Sequence, residues 1–418
     1  MTLRAATLNS PTAAAVAERA AAWGPLDAGS GWPRCIAHEG QLDLSADYGD
    51  TTLPEAVVKT VEDSLLRGET HYTDRPGLPA LREAVARKLA ADLHIHVDWR
   101  NEVVISCGEQ EGVFLALQVL IRPGDEVLAP DPRPEWLDES VRLARGVLTA
   151  APLLPKDGFE LKAEQIAARL TDRSRVLVLV QPSNPTGAAI SAGELGRIAA
   201  LAADRNLTII ADEALDESFA GQARHTSIAS LPEAAGRTIV VGSFSKFFGL
   251  ASWRVGYFAG PKDAVTTIRD MKQAMTICTS AMAQYAALAM LTQVNDWLTA
   301  RRNALDQARE IVLAALDALG LPHPARGGLA DGRQASPYVF ADVRPLRAVS
   351  ALTGGSSVAF ADWLRTEAEV TVAPGSRFGL GGEGFVRISL WPPLSDLEQA
   401  MRRLRWAAAR AQAMGGVR

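Results

Sequence analysis

The sequence predicts an α/β fold: a large domain built on a mainly parallel sheet covered by helices, and a smaller α+β domain after it. Three observations carry this reading. The runs RVLVLVQP, LTIIADEA and TIVVGSFS are short, apolar and rich in β-branched residues, as strands buried on both faces must be. Helical segments over 192–204 and 262–274 alternate with or follow them, the pattern of a parallel sheet with crossover helices. After about Trp297 the texture changes to longer helices and fewer strands.

Taken in order, residues 1 to about 40 read as a weakly structured arm with some helix. From Pro54 to Leu66 the apolar spacing is helical, with Val57, Val58, Val61, Leu65 and Leu66 on one side. Gly77 precedes a second helix, LPALREAVARKLAADL. Strand EVVIS, helix EGVFLALQVLI, turn RPGDE and strand VLAP follow, ending at Pro130. Beyond Trp297 come the helix ARRNALDQAREIVLAALDALG, the Gly-rich segment RGGLADGRQ and the strand YVFADV. Helix FADWLRTEA, strands VTVAP and VRISL, and a helix from Leu394 complete the chain. The Ala-rich tail beyond Trp406 is expected to fray. The implied division is an arm at 1–50 contributing to the small domain, a large domain at 51–295 and a small domain at 296–418.

Composition narrows the function classes. The 418 residues can bury a large core, and the net charge of −5 comes without a basic stripe, which argues against a nucleic-acid surface. Cys35, Cys107 and Cys278 are far apart in sequence, so no zinc spacing or disulfide framework is expected. No apolar run is long enough to cross a membrane, and the N-terminus lacks a signal-peptide core. A cytoplasmic globular protein is expected.

The segment SFSKFFGLASWRVGYFAG, Ser243 to Gly260, is the most informative. Lys246 follows a strand in a Ser/Gly turn, with Arg254 eight residues on. A lysine that forms a Schiff base must be partly desolvated and held near cationic groups. Serine hydroxyls and an arginine fork match a phosphate. QPSNPTG places Asn184 in a tight turn after a strand. ADEALDE ends a buried strand at Asp212, whose carboxylate needs a partner such as a protonated pyridine nitrogen. SCGEQEG joins a strand to a helix N-terminus, a natural phosphate site. All these loops lie at the C-terminal ends of strands, where α/β sheets bind ligands.

These pieces resemble the class I/II aminotransferases, the fold-type I enzymes that use pyridoxal 5'-phosphate (PLP). The similarity runs from about Leu42 to Leu404. HYTDRPGLPALREAVA, SNPTG, SFSK…WRVGY and VTVAPGSRFGLGGEGFVRISL match the family's signatures in the family's order. The resemblance implies that Lys246 binds PLP covalently and moves the proton at the substrate Cα. It implies that Asp212 pairs with the pyridine nitrogen and that Asn184 bonds the ring oxygen beside the substrate. Ser243, Arg254 and the backbone of Glu109 and Gln110 would hold the phosphate. Tyr72 would reach the phosphate of a neighbouring subunit, implying a homodimer with shared sites. Arg387 would grip the substrate α-carboxylate.

Three positions depart from the family pattern. Leu215 stands where a tyrosine usually donates to the ring oxygen. PDPRPEW puts Pro134 where an aromatic usually stacks on the ring, leaving Trp136 as the candidate for that role. LSADYGD puts Asp47 at or next to a usual glycine, where it and Glu109 add negative charge suited to a cationic substrate group. The resemblance implies an aminotransferase that uses an L-amino acid and a 2-oxo acid. A second reading is a PLP-dependent lyase, cyclase or oxidase of specialised, antibiotic-type metabolism on the same scaffold. A ligand-sensing version of the fold is not expected, because no helix-turn-helix or basic cluster precedes the first matched segment.

Overall fold

The computed structural model describes residues 40–48, 52–218, 225–324 and 336–415. The expected arm before Gly40 and the Gly-rich segment 326–334 lie outside these residues.

The first strand, β1 (Leu42–Asp43), is followed by helices Glu55–Leu66 and Pro79–Leu93. Then come β2 (Val103–Ser106), β3 (Glu126–Asp131), β4 (Val147–Pro152), β5 (Ser174–Val180), β6 (Thr208–Asp212), β7 (Thr238–Ser243) and β8 (Gly256–Ala259). These seven form one sheet in the order β2-β8-β7-β6-β5-β3-β4. The neighbours from β4 through β7 pair in parallel, whereas β8 runs antiparallel to both β7 and β2. The mainly parallel sheet is as expected; β4 and β8 were not read as strands from the sequence.

Both faces of this sheet are covered, which explains the unbroken apolar runs. Side chains alternate between faces along each strand. Leu177, Leu179 and Ile209 enter one buried cluster with Leu195, Ile198 and Ala202 of the helix Ala192–Asp204. Val176, Val178 and Ile210 enter another with Val113 and Leu117 of the helix Glu109–Leu120 and Ile268 of the helix Lys262–Thr276. Burying each such side chain stabilises by about 1.5–3 kcal/mol.

The remaining strands are β9 (Tyr338–Asp342), β10 (Val370–Thr371), β11 (Ala373–Pro374) and β12 (Phe385–Ser389). β12 sits between β11 and β9, antiparallel to both, and β1 pairs in parallel with β10. The run VTVAP, expected as one strand, is split at Val372 so that its halves join different sheets. Helices Asn295–Ala318, Ser357–Ala368 and Leu394–Gly415 cover these strands. The last of them continues past Trp406 instead of fraying, because Ala407, Ala408 and Ala411 are buried in the core. Of the apolar stripe on the first helix only Val57 is buried. Val58, Leu65 and Leu66 are exposed, so the apolar stripe is wider than the surface it packs against. Among the described residues, no helix is long and apolar enough to cross a membrane.

Candidate active site

The C-terminal ends of the parallel strands converge on one region. Asp212 is the last residue of β6, Lys246 lies three residues beyond β7, and Asn184 follows β5. From the smaller sheets, β12 contributes Arg387 and the loop after β1 contributes Asp47. Lys246 Nζ donates to Asp47 Oδ2 at 3.2 Å. The other oxygen of Asp47 is 2.5 Å from Arg387 Nη2. Arg387 donates from Nη1 to Asn184 Oδ1 at 2.9 Å and from Nη2 to the Ser45 carbonyl at 2.8 Å. Its buried guanidinium lies 4.4 Å from the centre of the Tyr338 ring and 4.8 Å from that of Phe378.

Electrostatics in this cluster follow from burial and pairing. Burial pushes the Asp47 carboxyl up, but Arg387 and Lys246 outweigh it and hold the group at about 2. Burial works against a charge on Lys246, yet Tyr338, Asp47 and Glu109 win and lift it well above the ordinary lysine value. Asp212 is pushed up to about 7, chiefly by burial and also by the nearby Glu109. Its carboxylate accepts from the Ala214 N–H at 3.2 Å.

A second cluster gathers at the start of the helix Glu109–Leu120. Gly108 caps that helix at φ +83° without a side chain, leaving the first-turn N–H groups without a side-chain acceptor there. A Cβ at this position would collide with the Arg254 guanidinium. Arg254, itself left-handed at φ +51°, donates to Ser245 Oγ at 3.4 Å and to the Ala251 carbonyl at 3.2 Å. Ser243 Oγ donates to the buried Glu109 carboxylate at 2.7 Å. The Ser245 N–H donates to Ser243 Oγ at 3.0 Å. This helix end, two serines and an arginine form a donor set of the kind that binds a phosphate. Gln110, the second helical residue, has an exposed side chain.

Other expected residues stand apart. Tyr72 is 74% exposed, away from both clusters' hydrogen bonds among the described residues. Trp136 opens the helix Trp136–Leu143 and packs against the core under the large sheet. The loop around Pro134 is tied to the segment 377–381. Arg133 N donates to the Phe378 carbonyl at 2.8 Å, and Arg377 pairs with Glu135 at 2.9 Å. Leu215 is buried with Leu44, Phe247 and Tyr338. Sequence reasoning missed Tyr338. Its ring faces Arg387 and its hydroxyl is buried with no hydrogen-bond partner, while burial and Asp47 push its pKa up to about 12. Only the pairing of YVFADV beside VRISL, with Tyr338 opposite Ser389, could have revealed it.

A family profile described as aminotransferase class I and II matches residues 39–404. The chain belongs to the class I and II aminotransferases. An aspartate aminotransferase of Pyrococcus abyssi is 31% identical over 365 residues, spanning 87% of this chain and 90% of the relative. The arginine–pyruvate transaminase of Pseudomonas aeruginosa is 33% identical, spanning 88% and 90%. The crystal structure of an aromatic aminotransferase from Pyrococcus horikoshii superposes with a TM-score of 0.82 at 31% identity, covering 89% of this chain and 96% of that one. The two clusters therefore belong to an amino-acid aminotransferase, and the fold is the one its family shares.

Proposed function

We propose that this aminotransferase binds PLP through Lys246 and moves the amino group of an L-amino acid to a 2-oxo acid, regenerating a 2-oxo acid and an amino acid. The observation that carries this is the meeting of Lys246, Asp47, Arg387 and Asn184 from three separate parts of the fold. The residues fit the cofactor. Asp212 is a buried carboxylate whose pKa is raised by burial and by Glu109, and a pyridinium nitrogen would offset both. The serines, Arg254 and the helix start fit the phosphate. Ser243 Oγ, which here donates to Glu109, is one hydroxyl of that set.

PLP, when bound, supplies a carbonyl that condenses with amines and a ring that withdraws electrons from the substrate Cα. Lys246 has the reach and the buried setting to hold that carbonyl and, once freed by substrate, to move a proton at Cα. Arg387 and Asn184 orient the substrate carboxylate. Leu215 and Tyr338 lie together in one buried cluster.

We further infer a homodimer with Tyr72 reaching the partner's site; its exposure, with Leu66 80% exposed and Ile277 also exposed, supports this. We assign the large PLP-binding domain to 51–295 and the small one to 296–418 with the arm at 1–50, a division supported by the pairing of β1 with β10. A cytoplasmic location is supported by the free thiols of Cys107 and Cys278.

The test is nitrogen transfer. A panel of ¹⁵N-labelled L-amino acids is incubated with an unlabelled 2-oxo acid. The reading predicts the label in the newly formed amino acid; label released as ammonia would favour the lyase chemistry instead.

A further inference from the structure

The Asp47 carboxylate stands on Arg387, the group read above as the receptor for a substrate carboxylate, and it meets only one of that arginine's nitrogens. Oδ1 is 2.5 Å from Arg387 Nη2, a contact with one end of the guanidinium only. That nitrogen donates to the Ser45 carbonyl at 2.8 Å. A carboxylate that engages guanidinium as a fork takes two parallel N–H bonds, and Asp47 takes none of that kind. One buried donor is left over: Arg387 Nε–H has no acceptor among the described residues.

The chain just before Asp47 is anchored by backbone hydrogen bonds. Leu44 is fixed through its N–H to Thr371 and its carbonyl to Ser389. Ser45 turns back onto the Asp43 side chain. Beyond that, Ala46, Asp47 and Tyr48 make no backbone hydrogen bond to another described residue. Release of Asp47 from Arg387 breaks no strand hydrogen bond of a described residue.

We propose that Asp47 is a tethered occupant of the carboxylate subsite, displaced from Arg387 when a substrate carboxylate binds, and that it sets which carboxylates the site accepts. The proposal rests on the reading of Arg387 as the substrate-carboxylate receptor. A second carboxylate beside Asp47 would meet like-charge repulsion on a single guanidinium. A tethered group also competes at a high effective concentration. Only a ligand that gains a donor Asp47 leaves unused, such as Arg387 Nε, displaces it. Asp47 is thus a specificity-determining residue, and its carboxylate is already spent on two protein cations rather than held open for a cationic substrate.

The experiment measures binding of succinate, a carboxylate that cannot donate or accept an amino group, to the PLP-loaded enzyme by calorimetry. Asp47→Asn, which keeps the shape, and Asp47→Gly should each bind succinate at least tenfold more tightly than the wild type. The gain should vanish when Arg387→Leu is added. Unchanged or weaker binding in both variants would overturn the proposal, as would a gain that survives loss of Arg387. Putrescine binding lost in Asp47→Asn, with succinate unaffected, would also overturn it and make Asp47 a cation receptor. Because succinate is not turned over, a failure of ¹⁵N transfer would count against the aminotransfer reading alone and leave this result standing.

Discussion

Arg387 donates from Nη1 to Asn184 Oδ1 at 2.9 Å, and this bond joins a strand of the small sheet to a loop at the end of β5 in the large one. Asn184 thereby aims a guanidinium that it does not share a sheet with. Its replacement by alanine leaves a buried donor without its acceptor, worth about 1–3 kcal/mol. Asn184→Ala is expected to lower kcat/KM by roughly 10–100-fold, mostly through KM. Asn184→Asp should be worse, since a new carboxylate would hold Arg387 against the substrate. Steady-state kinetics on the three proteins check the order; an Asp variant more active than the Ala variant would contradict it.

Asp212 gives a pH signature in the cofactor-stripped protein. An unfolded aspartate titrates near 3.8, whereas the folded one sits at about 7. Between those values the folded state binds the extra proton, so this contribution to stability declines as pH rises, by up to roughly 4 kcal/mol. The decline ends above pH 7, once both states are ionised. Asp212→Asn removes the titration, so urea unfolding at pH 5 and pH 8 should show the wild type losing more stability than the variant. Parallel behaviour of the two would contradict the assignment. With PLP bound the order reverses, because the variant lacks the pyridinium's partner and retains cofactor less well.

The loop after Asp212 is braced by a buried ion cluster. Lys88 Nζ lies 2.6 Å from Asp216 and 2.8 Å from Glu217, and Arg302 pairs with Glu217 at 2.9 Å. Burial pushes the Asp216 carboxyl up despite Lys88. Lys88→Met strands the Asp216 charge and is expected to cost about 3–5 kcal/mol. Adding Asp216→Asn should recover part of that loss. Chemical unfolding measures both, and a double variant no better than the single one would show that the pair is not coupled.

The large sheet was legible because its strands carry continuous apolar runs whose two faces are both buried. β8 was not, since GYFA is four residues long and follows directly on the turn that carries Arg254. Lys246, Asp212, Asn184 and Arg254 could be found because each sits in a short local motif. Tyr338 could not: its place beside Arg387 depends on which strand lies next to β12, and no local pattern encodes that pairing. Asp47 was visible as an odd residue in its segment. Its contacts with Lys246 and Arg387, 199 and 340 positions away in sequence, were not. The tail beyond Trp406 misled because alanine alone gives little sign of which face is buried.

The central claim is that Lys246 holds the cofactor. The most direct measurement is borohydride reduction of the PLP-loaded enzyme followed by peptide mass spectrometry. The account predicts a reduced phosphopyridoxyl group on the peptide containing Lys246 and on no other lysine, with the adduct absent in Lys246→Ala. An adduct on another lysine, or the same labelling in the Lys246→Ala protein, would contradict it.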